Sequence, residues 1–288
     1  MAKPVRLLTE RISTKVWQPS GYGGIEIGIK SSSSKLEFPR CFLQNYTIVL
    51  NGIGEGEVWY GSDRYAFTNT HNLVFLQNPG RVFSGCFWGE QGTNGACIVI
   101  PRSRLHQLLN QLGIDRTAFF SDLLLPEKPN VLVAKHVGNL LRAFATPASR
   151  LKRESQLLSS IETIFRHGSA ISVPERHLGE EHRAIALIKE VLHSHPGGNH
   201  SLASLSQVTG LNQKYLIDVF TKDVGLPPHR YLTNLRIHRA KARLVKGEAI
   251  ADIATDLGFC DQSHFSRTFK HYVRVSPGQF KRDSIANT

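Results

Sequence analysis

Short apolar or alternating runs follow one another through the first hundred residues: Ile25–Ile29, Tyr46–Leu50, Val58–Tyr60, Leu73–Leu76, Val82–Trp88 and Cys97–Ile100. Turn-forming residues separate them, among them Gly21-Tyr-Gly23-Gly24, Asn51-Gly52, Gly54-Glu-Gly56, Gly61-Ser-Asp63 and Asn78-Pro79-Gly80. Strands this short, spaced evenly and broken by Gly and Asn, predict a sandwich or small barrel. After Pro101 the period becomes helical. Leu105, Leu108, Leu109 and Leu112 fall on one face, and Gly113 supplies a stop. Two further helices are predicted over Val131–Phe144 and Leu151–Phe165, separated by Pro147, with apolar faces suited to the barrel or to a second subunit. Residues 168–179 (GSAISVPERHLG) lack a period and read as a linker. From Glu180 onward the spacing is helical throughout.

The helical C-terminal part repeats itself. Leu216, Phe220, Val224, Pro228 and Tyr231 recur as Phe265, Phe269, Val273, Pro277 and Phe280, each pair 49 apart; upstream, Leu205, Gly210 and Leu211 match Ile253, Gly258 and Phe259 at 48. The second copy therefore has one more residue in its turn. Each copy has a helix-turn-helix layout: Leu202–Val208, Gly210 and Asn212–Asp223, then Ile250–Leu257, Gly258 and Asp261–Tyr272. The glycines suit a turn that needs positive φ or close helix approach, and Asn212 and Asp261 suit N-caps. Gly225 ends the first copy's second helix, whereas Arg274 stands at the equivalent place in the second, so that helix end is expected to differ.

Between the copies, Pro228–Lys246 carries Arg230, Arg236, Arg239, Lys241, Arg243 and Lys246 without one acid. Two helix-turn-helix units joined by such a helix point to DNA, with the bases near phosphates. The total charge of +12, beside thirteen histidines, agrees with a polyanionic partner. Residues 180–288 account for only +5 of it (fifteen bases against ten acids), so placement of charge carries more weight than its sum. At 288 residues and 41% hydrophobic, the chain suits two globular domains. Cys41, Cys86, Cys97 and Cys260 form no C-x-x-C pair, which argues against a disulfide framework or zinc knuckle. With no signal-peptide core and no run long enough to span a bilayer, a cytoplasmic setting without membrane partners is expected.

The C-terminal region, about residues 182–283, resembles the AraC/XylS family of transcription regulators. The resemblance rests on Leu235-Arg236-Ile237 with Ala240 and Leu244, on Ile250-x-x-Ile253-Ala254-x-x-x-Gly258-Phe259, on Phe265-Ser266-Arg267-x-Phe269-Lys270, and on Ser276-Pro277-x-x-Phe280. It implies two recognition helices entering successive major grooves about 34 Å apart. Carried over position by position, the base-facing residues are Gln262, Ser263, Ser266 and Arg267 in the second copy and Lys214, Ile217 and Asp218 in the first. Gln and Arg suit bidentate readout of adenine and guanine, Ile217 offers only apolar contact, and Asp218 would need a cytosine amino group or Lys214. Phosphate contacts are expected at Asn212, Gln213, Arg236, Arg239 and Lys270.

The N-terminal half resembles the cupin-type effector domains of many relatives. The expected fold is thus α+β and multidomain: a cupin-like β-barrel with trailing helices over 1–167, a linker over 168–179, and an all-α double helix-turn-helix domain over 180–288. His71 is the only histidine before residue 106, so neither metal nor cofactor is expected. Trp59, Phe75, Phe83 and Trp88 could line a small-molecule pocket, although strand packing explains them better. The expected partners are double-stranded promoter DNA, a small-molecule effector of unassigned binding residues, RNA polymerase and a second copy in a homodimer. A regulator controlled by abundance or a protein partner is the alternative. A cupin oxygenase would need iron ligands, and a DNA-repair enzyme a reactive cysteine cluster, that the sequence lacks.

Overall fold

The computed structural model describes residues 12–286 apart from 34, 62, 68–72, 90–91, 115–130, 147 and 168–179. The expected linker, Pro147 and His71 lie outside the described residues. Among the described residues nine strands precede ten helices. The strands are β1 (Ile12–Trp17), β2 (Glu26–Ser32), β3 (Lys35–Phe42), β4 (Tyr46–Ile53), β5 (Glu55–Tyr60), β6 (Asp63–Phe67), β7 (Leu73–Gln77), β8 (Val82–Trp88) and β9 (Thr93–Ile100). They form a five-stranded sheet in the order β1-β2-β9-β4-β7 and a four-stranded sheet in the order β3-β8-β5-β6. Their described pairings are antiparallel, and together they make a cupin-like half.

The two faces of the larger sheet differ as the two-residue side-chain period dictates. Ile27, Ile48, Ile98 and Ile100 point outward into a core completed by α1 (Arg102–Gln111), α2 (Val131–Ala145) and α3 (Arg150–His167). That core includes Leu108, Val137, Leu140, Phe144, Leu157 and Ile161, so α2 and α3 spend their apolar faces on the barrel. Burying each such Leu, Ile or Phe contributes about 2 kcal/mol. The opposite face carries Gly28, Lys30, Thr47, Val49, Asn51, Gln77 and Cys97, and it faces Leu36, Phe38, Phe83 and Phe87 across a cavity of about 210 Å³. Of the expected pocket aromatics, Phe83 lines this cavity, Trp59 is 38% exposed, and Trp88 donates through Nε1 to Glu55 Oε2 at 3.1 Å.

The C-terminal half consists of α4 (Glu180–Ser194), α5 (Leu202–Thr209), α6 (Gln213–Val224), α7 (Pro228–Val245), α8 (Ile250–Asp256), α9 (Gln262–Val273) and α10 (Pro277–Ala286). It has two cores. Ile185, Ile188, Leu192, Leu205, Leu216, Phe220, Tyr231 and Leu235 form one; Ile237, Leu244, Ile253, Phe265, Phe269 and Phe280 form the other. Helix α7 contributes to both.

The halves are docked on each other. Val16 of β1 enters the second core, and Phe42 of β3 stacks edge-on against Tyr231 with ring centres 4.6 Å apart. Asn234 Oδ1 accepts the Phe42 amide at 3.3 Å, Ser284 Oγ accepts the Gln18 amide at 3.3 Å, and Lys241 pairs with Glu26 at 2.8 Å. Among the described residues no helix is long and apolar enough to cross a membrane, and no group of three or more His, Cys, Asp or Glu could hold a metal.

Candidate nucleic-acid interface

Both units form where their repeat places them. In the first, α5 opens with a Ser201–Ser204 capping box and stops at Gly210, φ 71°. Asn212 Oδ1 then accepts the Tyr215 amide at 2.9 Å and starts α6. In the second, α8 ends before Gly258, φ 73°, and Asp261 Oδ1 accepts the His264 amide at 2.6 Å to start α9. That amide bond, with further help from the Ser263 amide and Arg267, holds the Asp261 carboxyl below the usual range. The duplicated caps leave the remaining first-turn N–H groups of both helices pointing outward.

Helix α6 turns Leu216, Val219, Phe220 and Val224 inward, and α9 turns Phe265, Phe269 and Val273 inward. The opposite face of α9 presents Gln262, Ser263, Arg267 and Lys270 to solvent, with Ser266 half-buried among them. In α6 the matching positions give exposed Gln213, Lys214 and Asp218 with Ile217 half-buried. Among the described residues neither Arg267 nor Lys270 has a close ion pair or hydrogen bond; Arg267 has only the longer-range attraction of Asp261.

The connecting helix departs from expectation. Arg236, expected at phosphate, is instead turned inward: Nε donates to Pro196 O at 2.8 Å, Nη1 to Gly258 O at 2.7 Å and Nη2 to Gly198 O at 3.1 Å. It thereby ties the loop before the first unit to the turn of the second. A Cβ on Gly258 would lie 2.6 Å from Gly197 O and 2.7 Å from Arg236 Nη2, so this turn needs glycine for space as well as for φ. Lys241 and Arg243 are also committed, to Glu26 and to Glu248 (2.5 Å) and Asp256 (2.7 Å). Arg230 and Lys246 are exposed, and so is Arg239, whose single bond to His193 O is a long 3.4 Å.

Arg274 gives a second correction. It adopts φ 72°, as Gly225 adopts 83°, and its amide bonds Lys270 O as that of Gly225 bonds Thr221 O. The two helices therefore end alike. The Arg274 guanidinium donates from Nη2 to Glu37 O of β3 at 2.8 Å, a tertiary contact that no local sequence rule supplies.

Residues missed by sequence reasoning line the barrel cavity. Lys30 lies over the Phe38 ring at 4.3 Å, forms no ion pair among the described residues, and burial lowers its ammonium below the usual lysine range. Gln77 is 1% exposed, and its Nε2 has no hydrogen-bond partner among the described residues. Asn234, Ile237, His238 and Lys241 of α7 and Tyr272 and Val273 of α9 close the mouth of the cavity. Lysine in an alternating strand is an available signal; its inward direction is not.

Residues 205–283 match the family model described as a helix-turn-helix domain. The chain is 36% identical over 118 residues to YbfI, an HTH-type transcriptional regulator of Bacillus subtilis, covering 40% of this chain and 41% of that protein. It is 24% identical over 161 residues to the Msm operon regulatory protein of Streptococcus mutans, covering 51% and 58% of the two. The aligned parts thus span less than two thirds of the length of these relatives. Among solved structures, ToxT of Vibrio cholerae has the same fold at a TM-score of 0.52, with 17% identity and coverage of 95% of this chain and 98% of ToxT. With its duplicated helix-turn-helix and the helix that joins the copies, the matched region is a helix-turn-helix domain of the AraC type, similar to that of HTH-type transcriptional regulators.

Proposed function

We propose that the chain binds promoter DNA by placing α6 and α9 in successive major grooves, under the control of a small, largely apolar anion held inside the barrel. The observation that carries the DNA reading is the matched exposure of the two helices. Each buries its aromatic stripe and presents polar side chains at corresponding positions. Gln262, Ser263, Ser266 and Arg267 would meet base edges from α9; Lys214, Ile217 and Asp218 would do so from α6. Asn212, Gln213, Arg239 and Lys270 would meet phosphates. Arg267→Ala is expected to lose selectivity at particular base pairs, by about 1–3 kcal/mol if it reads guanine. Equal loss on all sequences in a footprinting series would defeat the base-reading role.

The cavity supports the effector half of the proposal. Its aromatic walls, the unpaired ammonium of Lys30 and the unpaired amide of Gln77 suit a molecule with an apolar body and an acid group. The occupant would touch α7 and α9 directly, so it would favour whichever arrangement of the DNA-binding helices it contacts better. ToxT, a structural neighbour, has been described with an unsaturated fatty acid bound. A panel of fatty acids and aryl carboxylates should raise the melting temperature of the full chain through at least one member, and Lys30→Gln should lose that rise. A panel without effect overturns this half and favours control by abundance or a protein partner. A second copy of the chain and RNA polymerase complete the partners of the proposal; a monomer by sedimentation would remove the first.

A further inference from the structure

Beside α9, on the barrel side, lies an open cleft of about 800 Å³. Arg267, Lys270, His271 and Arg274 form one wall, and Lys35 and Glu37 of β3 stand on the other. The α9 residues follow at spacings of three and four, so they prolong the stripe that begins with Ser263. Glu37 is the only carboxylate of the lining, and it already pairs with Lys35 at 2.6 Å. Among the described residues Lys270 has no ion pair, and Arg267 faces only the nearby, solvent-exposed Asp261. The cleft is therefore concave and carries an excess of positive charge, part of it from each domain.

We propose that this cleft seats the phosphodiester backbone of the duplex that α9 reads, with Lys35 of the N-terminal domain as one of the phosphate ligands. This rests on the reading of α9 as a recognition helix. A helix that meets bases through its N-terminal turns leads its C-terminal half past the groove wall, where the phosphates stand. Lys270 and His271 lie on that half, and Lys35 approaches from the facing strand. An ammonium has three donors, so Lys35 can keep Glu37 and still serve a phosphate oxygen. Glu37 opposes phosphate and limits the affinity; its backbone carbonyl meanwhile holds Arg274 in the wall.

The test uses the full chain and a duplex enriched by it from a random pool, beside a scrambled duplex of equal length. Lys35→Gln is expected to weaken binding to both duplexes by the same factor and to reduce the slope of log affinity against log salt by about 1. Glu37→Gln is expected to strengthen both. Lys35 is half-exposed, so an unchanged melting temperature confirms that folding is intact. Wild-type affinity and slope in Lys35→Gln overturn the proposal. So does tighter binding, which would mark β3 as an obstacle to DNA. If Arg267→Ala shifts sequence preference while Lys35→Gln is silent, the cleft fails and base reading survives. Failure of the wild-type chain to enrich any duplex overturns both.

Discussion

Gly225 and Arg274, 49 positions apart and equivalent in the two units, share the left-handed conformation and both abut the four-stranded sheet of the barrel. At Gly225 a Cβ would lie 3.0 Å from Val82 Cγ2, and at Arg274 the guanidinium reaches the Glu37 carbonyl. The ends of α6 and α9 are therefore registered against one surface. That surface, strands β3 and β8, fixes how the two units are presented in this arrangement.

The equivalence predicts unequal responses to mutation. Gly225→Ala combines positive φ with a tight contact and should cost about 1–2 kcal/mol. Arg274→Gly removes the strain of a side chain at φ 72° and forfeits one hydrogen bond, so the two changes offset within about 1 kcal/mol. Denaturant midpoints of the two variants test this. A larger loss for Arg274→Gly than for Gly225→Ala would show that the tether to Glu37 outweighs backbone strain.

Arg236 should behave as a brace rather than a DNA ligand. Arg236→Ala strands three carbonyls that now share one guanidinium, and a loss of about 3 kcal/mol is expected. Lys at this position keeps the charge but cannot span the fork, so Arg236→Lys should recover less than half of the loss. A variant of wild-type stability with weakened DNA binding would return Arg236 to the phosphate set.

How much of this was legible in the sequence follows from how local each cause is. The two units could be read because their cores are built at fixed spacing and their caps lie within three residues of the amides they accept. Strand β1 (ISTKVW) is short with its three polar residues in a row, and β3 is interrupted by Pro39 and shifts register between Phe38 and Cys41, so neither has a clean alternation. The ion pairs of Lys241 and Arg243 on α7 are not legible in the sequence for a different reason. Their counter-ions come from other elements: Glu26 is 215 residues away, and Glu248 and Asp256 follow the helix. The cavity was invisible because its walls come from both sheets and its mouth from two helices of the other domain.

The pair Lys241–Glu26 offers a direct measure of the docking. The carboxylate side chain is only 8% exposed and the ammonium 20%, so solvent screens the pair little. Glu26→Gln leaves an ammonium facing the Phe280 ring without its anion, and a cost of about 3 kcal/mol is expected. The double variant Glu26→Gln/Lys241→Met should regain a substantial part, because no buried charge is then left unpaired. Additive losses in the double-mutant cycle would sink this account.

His238 makes the same interface sensitive to acid. Burial first, then the nearby Lys241 charge, lowers its imidazole to about 4; Arg239 and His193 oppose protonation as well, and Glu26 alone favours it. The unfolded chain takes up the proton as pH falls through about 6.5, whereas the native chain resists until about 4. A group whose native value is depressed contributes stability above the unfolded value and loses it on acidification, so the window runs from pH 6.5 down to 4. The expected loss is about 2 kcal/mol by pH 5. His193, also lowered by burial, adds a smaller slope of the same sign. Urea midpoints at pH 7 and pH 5 should therefore separate widely for the wild-type chain and less for His238→Gln, which keeps a polar group of similar reach without a titrating proton. Equal separation in both would place the acid sensitivity elsewhere.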